Sequence, residues 1–168
     1  RLSEIRQTDA NETQERINLE YTYDEYNRLK AYAFTIPGVS EQRMEARFGD
    51  GSAGFDAERV YGVKWNGTEV LQHVYDGLGR KTQDILKMGS TQRATQYTYL
   101  QGTTAGTTTT QVGTVTYADG TVETYTYDER GYISSIHSSG DNKKVEYTYD
   151  TLGQLVREDN ERENYTVT

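Results

Sequence analysis

Four aspartates recur in the same setting along the chain, Asp24, Asp76, Asp128 and Asp150, each directly after a tyrosine. Paired carboxylates are the chemistry of glycoside hydrolysis, which sets them about 5–5.5 Å apart in a retaining enzyme and about 6.5–9.5 Å apart in an inverting one. Equivalent residues on stacked hairpins lie two strands apart, about 9.5–10 Å. That spacing suits four equal structural roles better than an acid and its nucleophile. The two histidines, His73 and His137, have no cysteine to accompany them. His73 stands where other copies carry a tyrosine, so it reads as one more ring in a packing row rather than a metal ligand or proton carrier. No Gly-x-Ser-x-Gly nucleophile motif is present. The residues therefore point to no catalytic group, no metal site and no cofactor.

A glycine-rich stretch, Gly49-Asp50-Gly51-Ser52-Ala53-Gly54, spells the pattern of a dinucleotide-binding loop. Such a loop needs a buried strand before it and a helix after it, so that the helix N-terminus meets the pyrophosphate. Here Glu45-Ala46-Arg47-Phe48 is a poor buried strand, and Phe55 to Trp65 has no helical stripe. The nearby Asp50, Asp56 and Glu58 lack the alternating acids of a calcium loop, and a solvated hairpin tip is the expectation. Asn11-Glu12-Thr13, Asn66-Gly67-Thr68 and Asn164-Tyr165-Thr166 are glycosylation sequons, relevant only in a eukaryotic secretory pathway. A net charge of -8 and a sequence pI near 4.8 argue against a nucleic-acid partner, which needs a basic patch. No apolar run is long enough to span a bilayer as a helix, and the absence of cysteine excludes a disulfide framework.

The elements that position the aspartates are repeats. Tyr21-Thr22-Tyr23-Asp24-Glu25-Tyr26-Asn27-Arg28-Leu29 returns as Tyr125-Thr126-Tyr127-Asp128-Glu129-Arg130-Gly131-Tyr132-Ile133 and as Tyr147-Thr148-Tyr149-Asp150-Thr151-Leu152-Gly153-Gln154-Leu155. A weaker copy reads His73-Val74-Tyr75-Asp76-Gly77-Leu78-Gly79-Arg80-Lys81, and Tyr97-Thr98-Tyr99-Leu100 starts another. Leu29, Lys81 and Ile133 follow one another at 52 residues, which suggests two repeats of 26 between markers, and Leu155 comes 22 after Ile133. The single array 1-168 then divides into repeats near 1-6, 17-34, 44-60 (degenerate), 71-88, 95-106 (degenerate), 121-137, 145-158 and 165-168 (truncated). Arg1-Leu2-Ser3-Glu4-Ile5 resembles the second half of a repeat and Tyr165-Thr166-Val167-Thr168 the opening of the next, so the chain is expected to be a piece of something longer. Arrays of this kind are stabilised by stacking on neighbours rather than around a private core.

Each repeat reads as a β-hairpin, and the fold class as all-β. Ile17, Leu19, Tyr21 and Tyr23, and likewise Val145, Tyr147 and Tyr149, alternate with polar residues at period two. Aromatic and β-branched residues favour the pleated setting. In the Asp-x-x-Gly that follows, Asp bonds back to the backbone and the fourth residue adopts a left-handed conformation that closes a bulged hairpin. Gly79, Gly131 and Gly153 fill that place, and Asn27 substitutes for glycine. Asp119-Gly120 suggests a two-residue turn that pairs Tyr117 with Val122, and Ile36-Pro37-Gly38 another turn. Gln101 to Gly113, rich in Thr and Gly, reads as a long, mobile loop, and Gln7 to Arg16 as loop with room for a short helix. Only 33% of residues are hydrophobic and mean hydropathy is -0.89, so the 15 tyrosines must carry much of the packing.

The Tyr-x-Tyr-Asp-x-x-Gly-Arg-Leu pattern closely resembles the RHS/YD-repeat family of large secreted and surface proteins, strongest at 17–34, 71–86 and 121–157. The resemblance implies a curved, spiralling antiparallel sheet of hairpins, a fragment of the hollow shell found in polymorphic toxins, toxin complexes and teneurin-type proteins. It implies a structural role in a bacterial secreted, cell-surface or wall-associated protein, with the shell holding or displaying a toxic segment. Carbohydrate binding or adhesion through exposed Tyr and Trp65 is the alternative. The implied partners are the remaining repeats, an enclosed toxin segment or surface glycans, with self-association through sheet edges. The family's arginine after the turn is present at Arg28 and Arg80 and replaced by Tyr132 and Gln154, while Lys81 stands for the aliphatic residue. The family's Asp-Pro-x-Gly self-cleavage motif is not present, since the single proline, Pro37, follows Ile36.

Overall fold

The computed structural model describes residues 3–8, 15–49, 57–104 and 107–168. Every regular element among them is a strand, in line with the all-β reading, and strand order in the sheet follows chain order. The glycine-rich residues 50–54, Asp56, the sequon at 11–13 and most of the segment from Gln7 to Arg16 lie outside the described residues. Contacts group the chain into two units, Arg1–Gly79 with Asp84–Gln92, and Arg80–Gln83 with Arg93–Thr168.

The first unit contains β1 (Glu4–Thr8), β2 (Glu15–Tyr23), β3 (Leu29–Ile36), β4 (Val39–Phe48), β5 (Val60–Trp65) and β6 (Thr68–Tyr75), with the second half of β7 (Lys81–Met88) and the start of β8 (Thr91–Gln101). Period-two alternation sorts its residues onto two faces. Tyr21, Tyr32, Met44 and Trp65 stand in one cross-strand row, each in register with the next. Phe34 meets Trp65 with ring centroids 6.3 Å apart, which leaves Trp65 half-buried. The other face carries Thr22, Ala31, Glu45 and Lys64 in register. Ala31 and Ala33 on this face are buried, because a methyl side chain is short enough to be covered by the longer stems in register with it.

Two hairpin tips of this unit follow from local chemistry. Pro37 and Gly38 join Ile36 to its partner Val39, with Gly38 at φ +80°. Asn66 (φ +47°) and Gly67 (φ +80°) join Trp65 to Thr68, the left-handed pair whose twist matches that of the strands. Asn66 also reaches back to β4, where its Oδ1 accepts from Arg43 N–H at 2.7 Å and its Nδ2 donates to Gln42 Oε1 at 2.9 Å. Asn-Gly is the sequence signal of this turn.

The second unit contains the first residues of β7, the rest of β8, β9 (Thr108–Thr116), β10 (Val122–Tyr127), β11 (Ile133–Ser138), β12 (Lys143–Tyr149), β13 (Leu155–Asn160) and β14 (Tyr165–Val167). One face carries Tyr125, Ile136, Val145, Asn160 and Tyr165 in register, and the other Thr126, Ser135, Glu146, Asp159 and Thr166. Ser135 is buried on the polar face because Thr126 Oγ1 lies 2.7 Å from its hydroxyl, which satisfies both groups.

Three expectations are corrected. The Thr/Gly tract is mostly strand: β8 continues to Gln101 and β9 begins at Thr108, with Gln101 paired to Thr108, because threonine's branched Cβ suits the pleat. Tyr117 does not pair with Val122; Val122 pairs with Thr116, and Tyr117 N–H donates to Thr121 O at 2.8 Å. Gly120, at φ +87°, donates to Tyr117 O, so this tip is a bulged turn of the same kind as the Asp-x-x-Gly turns. Finally, the 52-residue period divides unequally. The corresponding residues of the post-turn strands are Leu29, Val60, Lys81, Val112, Ile133 and Leu155, each opening its strand except Val112, which lies within β9, so successive steps are 31, 21, 31, 21 and 22 residues. Most of the extra length lies between Phe48 and Val60 and between Tyr99 and Val112, and the rest in the strands and tips that lead up to Phe48 and Tyr99.

The turn geometry yields a first prediction. Gly153 has φ +81°, and a Cβ there would sit 2.5 Å from Tyr132 Oη, whereas Gly120 has φ +87° and open space. Gly120→Ala is expected to cost about 1 kcal/mol from backbone strain alone. Gly153→Ala is expected to cost more, and urea unfolding midpoints that fall in the opposite order would refute the crowding.

Candidate functional site

The aspartates act on their own turns. Asp24 Oδ1 accepts from Tyr26 and Arg28 N–H, Asp128 Oδ1 from Arg130 and Tyr132 N–H, and Asp150 Oδ1 from Leu152 and Gln154 N–H, all at 2.8–3.0 Å. Asp76 Oδ1 accepts from Leu78 N–H at 2.9 Å. The fourth residue of each turn then donates back to the aspartate carbonyl, from Asn27, Gly79, Gly131 and Gly153, with φ between +67° and +87°. Burial alone would raise the Asp24 carboxyl, but the Arg28 guanidinium and the two N–H donors outweigh it and hold the carboxyl below its ordinary range.

Repeats are joined by the second tyrosine of the motif. Tyr75 Oη donates to Val60 O at 2.9 Å, Tyr99 Oη to Lys81 O at 2.6 Å, Tyr127 Oη to Val112 O at 2.9 Å, and Tyr149 Oη to Ile133 O at 3.0 Å. Val60, Lys81 and Ile133 open the post-turn strand of the preceding hairpin, and Val112 lies within β9, in register with Tyr99. The bond satisfies a carbonyl beyond the end of the regular ladder and leaves the ring packed on the neighbouring hairpin. Burial pushes the Tyr127 phenol above its ordinary value, so the donor proton is retained.

The residue just before each acceptor covers the same ring. Arg28 Cζ lies 3.9 Å from the centroid of Phe48, Arg59 Cζ 5.6 Å from that of Tyr75, and Arg80 Cζ 4.3 Å from that of Tyr99. This is the position of the motif arginine, whose delocalised cation suits an aromatic face. Where the position is Tyr132, its ring meets Tyr149 with centroids 5.1 Å apart. Where it is Gln111, the amide instead donates to Gly131 O at 3.3 Å. Phe48 holds the aromatic place but has no hydroxyl, and Arg28, ion-paired to Asp24 at 2.6 Å, supplies the contact there.

The first tyrosines and the remaining motif residues serve packing. Tyr21 is in register with Tyr32, Tyr97 with Val115, Tyr125 with Ile136 and Tyr147 with Glu158. Tyr23 is the last residue of β2 and pairs with Leu29. Tyr125 and Tyr117 both donate to Glu123 Oε2 at 3.0 Å, and Arg162 meets Glu123 Oε1 at 3.2 Å. Burial first, and then the Glu123 carboxylate, push the Tyr125 phenol far above its ordinary value. His73 occupies the tyrosine row, 6.4 Å from the Tyr75 ring, with Nδ1 against Asp84 Oδ1. Lys81 opens β7 and directs Nζ to within 5.4 Å of the Tyr97 centroid, so a lysine is accommodated where an aliphatic residue was expected.

A row of charges crosses the first unit. Glu69 Oε1 lies 3.0 Å from Arg47 Nη2, and its Oε2 lies 2.6 Å from Lys87 Nζ. Gly62 leaves room for it, since a Cβ there would approach Glu69 Oε1 to 2.7 Å. The Lys87 bond, opposed by burial and helped by Arg47, holds the Glu69 carboxyl below its ordinary range. Among the described residues no cluster of three His, Asp or Glu suits a metal ion, and no helix is long and apolar enough to cross a membrane.

Two outcomes test these contacts. Tyr149→Phe is expected to lose about 1 kcal/mol, the net value of one hydrogen bond. Phe48→Tyr is expected to gain a fraction of that by reaching Leu29 O; urea unfolding that moves both midpoints the same way would contradict the shared geometry. For Glu69 the folded-state pKa is lowered, so its contribution is present above the unfolded-state value and is lost as pH falls through the folded-state value. Glu69→Gln is therefore expected to flatten the acid side of the stability profile, as followed by melting between pH 6 and pH 3 on the order of the carboxylate range.

No family model and no curated protein matches the chain. Among solved structures, the crystal structure of TcdB2-TccC3-Cdc42 is similar over 94% of this chain and 11% of that one, at 12% identity and a TM-score of 0.44. The chain thus spans about a tenth of the length of that protein.

Proposed function

We propose that the chain is a structural repeat segment of a bacterial secreted or cell-surface RHS/YD-repeat protein, forming wall of a β-shell that encloses or displays a toxin or effector region. The observation that carries this reading is the latch, in which a motif tyrosine of one hairpin bonds a backbone carbonyl of the post-turn strand of the hairpin before it. Such a contact has meaning only between successive repeats, and it adds one more link with every repeat appended. The motif carboxylates support the same reading, since they are occupied in closing turns and the reading assigns no catalytic group. The motif rings are likewise engaged with neighbouring hairpins, which favours a wall over a glycan platform.

Negative-stain electron microscopy of the full-length protein tests this proposal. A closed hollow particle is the expected result. An open ribbon or rod would overturn enclosure and move the role to adhesive display.

A further inference from the structure

The latch fastens a hairpin near its turn, and a different contact fastens the other end. In the pairing of β10 with β11 the outermost ladder pair is Glu123 with Ser138, so the next in line is Val122 with Ser139. Ser139 N–H donates to Val122 O at 2.9 Å, which is half of that pair. The chain then turns into the tip, and the other half is made by a side chain: Val122 N–H donates to Ser139 Oγ at 2.8 Å. The exchange recurs on two further hairpins. Lys144 and Glu161 are next in line after Val145 with Asn160; Glu161 N–H donates to Lys144 O at 3.1 Å, and Lys144 N–H to Glu161 Oε2 at 2.8 Å. Arg43 and Asn66 are next after Met44 with Trp65; Asn66 N–H donates to Arg43 O at 2.8 Å, and Arg43 N–H to Asn66 Oδ1 at 2.7 Å. The strands that end at these residues, β5, β11 and β13, have 6 residues each. In β3 the sixth residue after Leu29 is Thr35, which pairs with Asn18 inside the ladder, and that strand has 8 residues.

From this recurrence we infer that the position directly after β5, β11 and β13 is a ladder stop: an oxygen-bearing side chain there stands in for the backbone carbonyl, so the chain leaves the sheet without leaving the partner's N–H unpaired. Hydroxyl, amide and carboxylate all serve, since the position asks only for an acceptor. The stop acts beyond its own bond. An open N–H at the margin of a sheet is a template for another strand, and at Arg43, Val122 and Lys144 the stop occupies it. It thereby fixes where pairing ends at three tips, Asn66-Gly67, Ser139-Gly140 and Glu161-Arg162, that share no residue type at their first position. A stop of this kind works within a single hairpin, so its failure and the failure of shell closure are told apart.

Amide hydrogen exchange of the 168-residue chain, followed by NMR, tests the stop at Val122. Ser139→Ala is expected to speed exchange of the Val122 amide about five-fold, the worth of one net hydrogen bond. Ser139→Thr keeps the hydroxyl on an exposed residue and is expected to leave that amide at the parent rate. Glu161→Ala and Glu161→Gln repeat the comparison at the Lys144 amide, where the alanine variant alone is expected to accelerate exchange. Parent-rate exchange of Val122 in Ser139→Ala would overturn the stop. Equal acceleration in the alanine and threonine variants would overturn it too, by tracing the effect to disturbance of the tip and not to loss of the acceptor.

Discussion

A protein built of strands and turns, in which none of the described large side chains is fully buried, cannot rely on an interior to hold its elements together. Stability must come from edges and ends: the backbone ladder along each strand, cross-strand rows on each face, and contacts that tie one hairpin to the next. The tyrosine latch is the last of these, and the rest of the arrangement depends on it. A phenol is long enough to cross from one hairpin to the next while burying its ring, and its hydroxyl satisfies a carbonyl that the regular ladder leaves behind. Phenylalanine fills the same place at Phe48 only with an arginine held 3.9 Å from its ring.

The latch works only if the acceptor carbonyl is presented at a fixed point, and the turn ensures this. Asp24, Asp76, Asp128 and Asp150 collect N–H donors of their own turns, a left-handed fourth residue sends the chain back, and a one-residue bulge follows directly after Leu29, Ile133 and Leu155. The bulge recurs at the last strand residue before the turn, between Thr22 and Tyr23, Thr126 and Tyr127, and Thr148 and Tyr149. It also occurs between Arg47 and Phe48, although the turn that follows is much longer. Val60 and Val112 nonetheless accept from Tyr75 and Tyr127, so the latch survives the longer connections before them.

The contact that covers each latch ring is more tolerant than the latch itself. Arginine, glutamine and tyrosine all occupy the position, through a cation on a ring, an amide on a carbonyl, and a tilted pair of rings. Each of these is worth only a fraction of a kcal/mol to about 1 kcal/mol, so exchange among them changes the strength of a joint without removing it. The polar face is held differently, by hydroxyl pairs such as Thr98 with Thr114 and by charge rows such as Arg47, Glu69 and Lys87. The motif aspartates, by contrast, are committed to closing turns.

Much of this was legible in the sequence. Period-two alternation identified the strands, the recurrence of Tyr-x-Tyr-Asp identified the repeats, and Asp-x-x-Gly identified their turns, because each of these rests on local stereochemistry that neighbours do not alter. The Asn27 substitution was legible for the same reason. Contacts that join residues 15 to 18 positions apart across two strands were not, since nothing in Tyr149 alone names Ile133 as its acceptor. Nor could composition separate strand from loop at Thr108–Thr110, where the glycines around the threonines signalled a loop and pairing to β8 added to threonine's own preference for the strand. The uneven 31- and 21-residue steps were hidden in an even 52-residue period for a related reason: only strand register shows where the extra residues are placed. The sequence by itself determined hairpins, turns and their repetition; only the tertiary structure decided how one hairpin grips the next, because that choice depends on distances between chain segments and not on the conformational preferences of any residue.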